Sequence, residues 1–386
     1  MKVKRLLTLT AVSAILAGPT VAHAQIAISA NDNKVVNVNG VVQVVRNPAP
    51  DTITIIDLKA SPPKMLAEIE APASVVGPPF SVAITPDERL ALVTAAMKID
   101  LADSTKQAPD NRMSVIDLRA TPPKVIATLE TGAGPAGLSI NRQGTLALVA
   151  NRAEGTVSVY TIQGTTVTPA GKVTIADAKS GTSHAAITPD GKTALVTRDG
   201  DDRISILSID GTKVEHTKRD LNAGLRPYGI DVASTGAFAA VANIGRGGGD
   251  ADTVSLIDLR AQPPRVVDTV TVGQTPEGIK ISPDGSHVAV VVMNGSNKPK
   301  ESPFFNDGGK LVLLRVRGTS LVKVGEAPIG HWSQGAAFSP DSKTILVGNM
   351  VEKDVQVLRW DGRALRDTGV RIKVNGGSAA VRTADK

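Results

Sequence analysis

One phrase of about a dozen residues recurs along almost the whole chain, and a sequence built this way folds by placing like units side by side. The copies read SVAITPDERLALVT (81 to 94), GLSINRQGTLALVA (137 to 150), HAAITPDGKTALVT (184 to 197), GIDVASTGAFAAVA (229 to 242), GIKISPDGSHVAVV (278 to 291) and GAAFSPDSKTILVG (335 to 348), with a shortened copy, SAAVRTADK, at 378 to 386. Anchored on the position of Pro86, they fall at Arg142, Pro189, Ser234, Pro283, Pro340 and Thr383, spacings of 43 to 57 residues. Each copy is an apolar stretch, a Pro-Asp-Gly type break and a second apolar stretch, the pattern of a hairpin. A third strand is predicted in TITIIDL (52 to 58), MSVIDL (113 to 118), TVSVYTI (156 to 162), ISILSI (204 to 209) and TVSLIDL (253 to 259), and a fourth in PPKVIATLE (122 to 130) and its counterparts. No segment has helical period. Short four-stranded units repeated radially make an all-β, seven-bladed β-propeller.

The two ends of the repeat array dictate how such a ring closes. The last copy holds only the first strand of a unit, while residues 34 to 70 are expected to hold a second, third and fourth strand with no first strand before them. The N- and C-terminal strands are therefore predicted to share the last blade, which removes an open sheet edge. The expected organisation is a leader over residues 1 to 24 and a single propeller over 25 to 386. Lys2, Lys4 and Arg5 precede an apolar run of about 13 residues, and Ala22 and Ala24 suit a cleavage site after Ala24, so the chain is expected to be periplasmic or secreted. The run is too short to cross a bilayer core of roughly 30 Å, so no stable membrane anchor is expected once the leader is cut.

Composition narrows the chemistry. Only 2% of the residues are aromatic, against 41% hydrophobic, so the core has to be built from Val, Ile, Leu and Ala, and stacking platforms for single-stranded nucleic acid are lacking. The formal charge of +6 falls to +3 without the three leader cations, and no Lys/Arg stripe stands out, so nucleic acid is not an expected partner. The absence of Cys removes thiol nucleophiles, thiolate metal sites and paired-cysteine haem attachment. GAGPAG (132 to 137) satisfies a GxGxxG spacing, but a strand follows it where a phosphate cradle needs a helix. No cofactor and no metal site is called for.

At this point the residues carry a resemblance. LALVANRAEGTVSVYTI (146 to 162) and GQTPEGIKISPDGSHVAVV (273 to 291) look like the YVTN-repeat propellers, exported bacterial proteins close to the lactonase-like superfamily. HAAITPDGKTALVTRDGDDRISIL (184 to 207) is similar to the 6-phosphogluconolactonase-like signature, with His184, Gly200, Asp202 and Arg203 in matching positions and Arg198 where that signature has an Asp. The resemblance implies a seven-bladed scaffold and leaves the chemistry to the site.

In a propeller, the loop entering each inner strand and the loop joining the second and third strands open on one face. The entering positions are Phe80, Ala136, Ser183 with His184, Arg226 with Tyr228, Glu277, and His331 with Trp332 and Gln334; the departing positions include Asn151, Arg152, Arg198, Asn243, Asn294 and Asn349. Departing segments 95 to 112, 244 to 252 and 293 to 309 are long, and binding residues concentrate on such loops. The leading expectation is an exported scaffold that binds a small anionic molecule or a protein partner at this mouth, with Arg226, Tyr228, His331, Trp332, Asn151, Asn243 and Asn349 as ligand contacts. The three Asn also suit a plain turn-capping role. The second expectation is a lactone or ester hydrolase, with His184 or Glu277 activating water and Arg198 stabilising the oxyanion. The residues alone leave both open.

Overall fold

A computed structural model of the protein describes residues 25–386; the expected leader and its cleavage site lie outside the described residues. Seven four-stranded antiparallel sheets form a ring, accompanied by one two-stranded hairpin and a single 3₁₀ turn, Ala178–Ser180, among the described residues. Blades are numbered here in chain order. Blade 1 combines the strand Gly377–Thr383 with Ile26–Asp32, Thr52–Asp57 and Lys64–Glu70. Blades 2 to 7 have inner strands Val82–Ile84, Pro135–Ile140, Thr182–Ile187, Pro227–Val232, Pro276–Ile281 and Ser333–Phe338.

The closure expected from the sequence is present, with one change of strand. Ile26–Asp32 pairs with Gly377–Thr383 on one side and Thr52–Asp57 on the other, and every residue of it is buried. The second strand of blade 1 is thus residues 26–32 and not part of 34–70. VVNVNGVVQV folds instead into a separate hairpin, Val35–Val38 with Val41–Val44, turning through Asn39 and Gly40 at positive φ. An Asn-Gly pair is the preferred centre of such a two-residue turn, which is why this segment pairs with itself. A second difference concerns 95–112, which is largely a continuation of the blade 2 hairpin, Leu90–Ile99 against Gln107–Asp117.

The repeat phrase does the same work in blades 2, 4, 6 and 7. Asp87, Asp190, Asp284 and Asp341 each accept from the hydroxyl two residues before and the backbone N–H two residues after, which closes the turn between first and second strands. Asp57, Asp117 and Asp258 accept from the N–H two residues on, at 2.8 to 3.0 Å, and shape the outer turns on that same face.

Apolar side chains fill every gap between neighbouring blades. Ala27, Ile56 and Val381 of blade 1 meet Ala337, Leu346 and Val355 of blade 7, so the ring closes through packing as well as strand pairing. Ile28, Ile53 and Ile55 meet Val82 and Val93 of blade 2. Fully burying such a Val, Ile or Leu contributes about 1.5 to 3 kcal/mol. With few aromatic rings available, the ring depends on many of these modest contributions. The inner strands surround a narrow central channel. Gly229 is required for that closeness: a Cβ there would stand 2.6 Å from the Glu277 carbonyl oxygen and 2.8 Å from the Phe80 ring.

Candidate functional site

At the mouth of the channel, side chains from three successive blades meet on one carboxylate, with Glu277 of a fourth nearby. Arg152 follows the second strand of blade 3, Leu146–Asn151, and Asp199 follows that of blade 4, Thr193–Arg198. Arg226 and Tyr228 open the inner strand of blade 5, and Glu277 takes the position of Tyr228 in blade 6. Asp199 is almost fully buried and accepts from both guanidiniums: Arg152 forks onto its two oxygens, with Nη2 to Oδ2 at 3.0 Å, and Arg226 Nη2 reaches Oδ2 at 2.8 Å. Ser183 Oγ donates to Asp199 Oδ1 at 2.5 Å and accepts from Arg152. Arg226 holds a left-handed backbone, φ 57°, with its N–H fixed to Asp202 Oδ1 at 2.8 Å; such strain in a non-glycine residue persists where its surroundings over-determine it.

The electrostatics follow from two cations sharing one anion. Burial would raise the Asp199 carboxyl, but Arg152, Ser183 and Arg226 overcome it and hold the group below its ordinary value. Burial would lower Arg152, and its bonds to Asp199 more than reverse that. The Arg152 guanidinium lies 5.7 Å from the centroid of the Tyr228 ring. Tyr228 is buried and its phenol is pushed up, first by burial and then by the charge of Glu277. Glu277 itself is pushed up to about 7, by burial first, with the Gln334 amide and the guanidiniums of Arg226 and Arg152 pulling the other way. A carboxyl that exchanges its proton near neutrality beside two guanidiniums is suited to general acid–base work.

Of the sequence candidates, Arg226, Tyr228 and Glu277 are thus brought together. His184 is not in this cluster. It sits deeper in the channel, stacked on Phe80 at 4.2 Å between centroids, and Phe80 in turn carries the Arg382 guanidinium 4.5 Å from its ring. Burial holds the imidazole well below its ordinary pKa, and the charge of Arg382 adds to that. His184 is the one large side chain in a column otherwise made of Ser81, Gly137, Gly229, Gly278, Gly335 and Ser378. Gly137 leaves it room, since a Cβ there would lie 2.7 Å from the imidazole.

Arg198 also lies elsewhere, for a reason visible across blades. At the end of the second strand, Asn31 donates to Thr52 and Thr54, Asn151 to Thr156 and Ser158, Asn243 to Thr253 and Ser255, and Asn349 to Asp354 and Gln356. Arg198 occupies that column in blade 4 and turns the same way, to Ser205 at 3.0 Å, Asp220 at 3.0 Å and Asp201. Asn151, Asn243 and Asn349 are buried ties between strands and entering loops, and none projects into the mouth.

His331 stands at the mouth but is held between Glu352, 2.7 Å from Nδ1, and Asp307, 2.9 Å from Nε2; these carboxylates raise its pKa against the opposing effect of burial. Trp332 is buried among Val35, Met293, Met350 and Ala379, where it seats the extra hairpin on the ring. Sequence reading missed Asp199, the centre of the cluster. The available signal was its place one residue beyond the last paired position of its strand, Arg198 with Arg203, where a side chain is freed from the sheet.

Comparisons with known proteins agree with this architecture. A family model described as Lactonase, 7-bladed beta-propeller, matches residues 110–227, which include Arg152, His184, Asp199 and Arg226. No curated protein matches the chain. Among solved structures, the chain is similar to the periplasmic gluconolactonase of Pseudomonas aeruginosa, with TM-score 0.68, 15% identity and coverage of 93% of this chain and 99% of that one. A protein of Bacteroides fragilis described as a candidate 6-phosphogluconolactonase gives TM-score 0.69 and 17% identity, over 95% and 99% of the two chains. Hydrazine synthase of Kuenenia stuttgartiensis gives TM-score 0.63 and 18% identity, over 81% and 91%. At these identities the solved structures share the fold, and chemistry has to come from the site. The described residues form a seven-bladed propeller, and residues 110–227 of it match the lactonase propeller family model.

Proposed function

We propose that the mouth of the channel binds a small hydroxylated lactone and opens it by hydrolysis, with Glu277 as general base and then acid. The observation that carries this reading is Glu277, poised at about 7, in a cluster with Arg152, Arg226 and Tyr228. The Glu277 carboxylate takes a proton from water as the water oxygen bonds to the lactone carbonyl carbon. Arg226 is about one-third exposed and has N–H groups left over from Asp199, so it supplies the charge that meets the oxyanion. On collapse the ring C–O bond breaks and the Glu277 acid returns the proton to the leaving oxygen, which gives the open hydroxy acid. The matched family model and the gluconolactonase among the similar structures support a lactone over other esters.

This takes the second of the two sequence expectations and moves its residues: Arg226 replaces Arg198 as the anion-stabilising group, and Glu277 acts without His184. Binding without turnover is favoured by one observation, that two guanidiniums already bracket a carboxylate, a geometry that also holds the carboxylate of a sugar acid. Export remains part of the reading, and N-terminal sequencing of secreted material tests cleavage after Ala24. The catalytic reading is tested by pH-stat titration of glucono-1,5-lactone with the purified protein. Acid release above the spontaneous rate, reduced about tenfold to a hundredfold by Arg226→Ala, is expected. Calorimetric binding of gluconate with no acid release would leave the binding reading in its place.

A further inference from the structure

At the far end of the channel, on the side of the Pro-Asp-Gly turns, lies a chamber of about 130 Å³. Its walls mix charge with apolar surface: Asp231, Lys280 and Arg382 stand beside Ile140, Ile281 and Phe338, and His184 also lines it. None of the mouth residues Arg152, Asp199, Arg226, Tyr228 and Glu277 lines it, and Phe80 carries both His184 and Arg382 on its ring. One carboxylate already reaches it. Asp385, just beyond the strand Gly377–Thr383, accepts from Lys280 Nζ at 2.6 Å and from Arg382 Nη2 at 2.8 Å, one cation on each oxygen. Lys280 is simultaneously held by Asp231 at 3.1 Å.

Two further observations set this chamber apart from an ordinary ion-pair network. Arg382 and His184 are 2% and 1% exposed, yet Nε and Nη1 of Arg382 and both ring nitrogens of His184 have no hydrogen-bond partner. Native proteins rarely leave so many buried polar atoms without a partner in one place, because each has lost its water without gaining a replacement. Asp385, in contrast, is held at the rim, with its side chain 41% exposed. Without it, Lys280 and Arg382 face Asp231, while Glu88, the other carboxylate of the lining, stays paired with Lys386, so the chamber carries a net positive charge. The segment is fastened further by Lys386 Nζ to the buried Glu88 at 2.8 Å and by an exposed contact of Arg142 with the Lys386 carbonyl oxygen at 2.7 Å.

We propose that this chamber is a binding site for a small carboxylic acid with a short body, and that Asp385 is an intramolecular stand-in that such a ligand displaces. The ligand carboxylate takes the place of Asp385 on Lys280 and Arg382. Its body fills the chamber against Ile140, Ile281 and Phe338, and a polar group on it meets Arg382 Nε and the His184 ring. A cavity near this size holds a molecule about as large as benzene, so acids of roughly four to six carbons fit. The site is separate from the mouth and does not depend on the lactonase reading.

The test uses 4,4,4-trifluorobutyrate as the probe, followed by fluorine NMR, with trifluorobutanol as the uncharged control. Asp385→Ala in the full chain should bind the acid at least tenfold more tightly than the unaltered protein, and should not bind the alcohol. Lys280→Met added to Asp385→Ala should remove the gain. Asp385→Asn removes the charge while leaving Lys386 on Glu88, and should change binding in the same direction as Asp385→Ala, which covers the case in which one variant fails to fold. Folded variants that bind no more tightly than the unaltered protein, or that bind acid and alcohol alike, would overturn the proposal.

Discussion

Arg226 of blade 5 donates to Asp199 of blade 4 at 2.8 Å, across the boundary between two blades and within the mouth of the channel. The same oxygen accepts from Arg152 of blade 3, so Asp199 positions both cations without neutralising both. A carboxylate shared by two guanidiniums leaves a fixed positive excess, and Glu277 and Tyr228 lie beside it.

Arg198 and Arg226 should separate cleanly on substitution. Arg226→Ala removes one donor from the buried Asp199, which keeps Arg152 and Ser183, and is expected to cost no more than about 1 kcal/mol. Arg198→Ala takes a buried guanidinium from Asp201, Asp220 and Ser205 and should cost about 1 to 3 kcal/mol while leaving ligand handling at the mouth intact. Parallel denaturant melts and activity assays check both halves; a larger stability loss from Arg226→Ala would reverse the assignment.

Glu277 makes a signed pH prediction. Its folded pKa of about 7 lies above its unfolded value, so the folded state binds the extra proton between roughly pH 4.5 and 7 and loses stability as pH rises through that window. Glu277→Gln should therefore stabilise the protein at pH 8, by about 1 to 3 kcal/mol, and have little effect at pH 4. Equal shifts at both pH values would show that Glu277 is not held near neutrality.

His184 has the opposite sign. Its imidazole stays neutral in the fold while the unfolded chain protonates near pH 6.5, so stability is lost as pH falls below that value. His184→Gln should flatten this acid limb in a series of thermal melts between pH 5 and 8. An unchanged limb would mean that the buried ring is not its source.

Deletion of residues 26–32 should prevent folding as completely as deletion of 377–383, because the two strands pair along blade 1 and both pack into the ring. Circular dichroism of the two deletions provides the comparison. Native-like melting of the chain lacking 26–32 would mean that the 377–383 strand closes the ring unaided.

The repeat made the ring legible because one phrase encodes the inner hairpin in blades 2 to 7, and its Asp residues close the same turn in four of them. The first strand of the chain was hidden because IAISAND carries no copy of the phrase, while VVNVNGVVQV reads as a better strand and is in fact a hairpin turned by Asn39-Gly40. Column position located Arg226, Tyr228 and Glu277. It could not show direction: Arg198 follows the Asn31, Asn151, Asn243 and Asn349 column into the sheet, and Trp332 turns under the extra hairpin. Asp199 was invisible to column reasoning because its role comes from two arginines contributed by neighbouring blades, a pairing that exists only once the ring has closed.

The pH dependence of lactone hydrolysis, measured as kcat/KM for glucono-1,5-lactone after subtraction of the spontaneous rate, tests the role of Glu277 most directly. With Glu277 as the base, the rate should rise with pH through a midpoint near 7, and Glu277→Gln should lose both the rate and the limb while melting as a folded protein. A rate no greater than the spontaneous one at every pH, or a Glu277→Gln profile that overlays the unaltered protein, would contradict a hydrolytic site at the mouth.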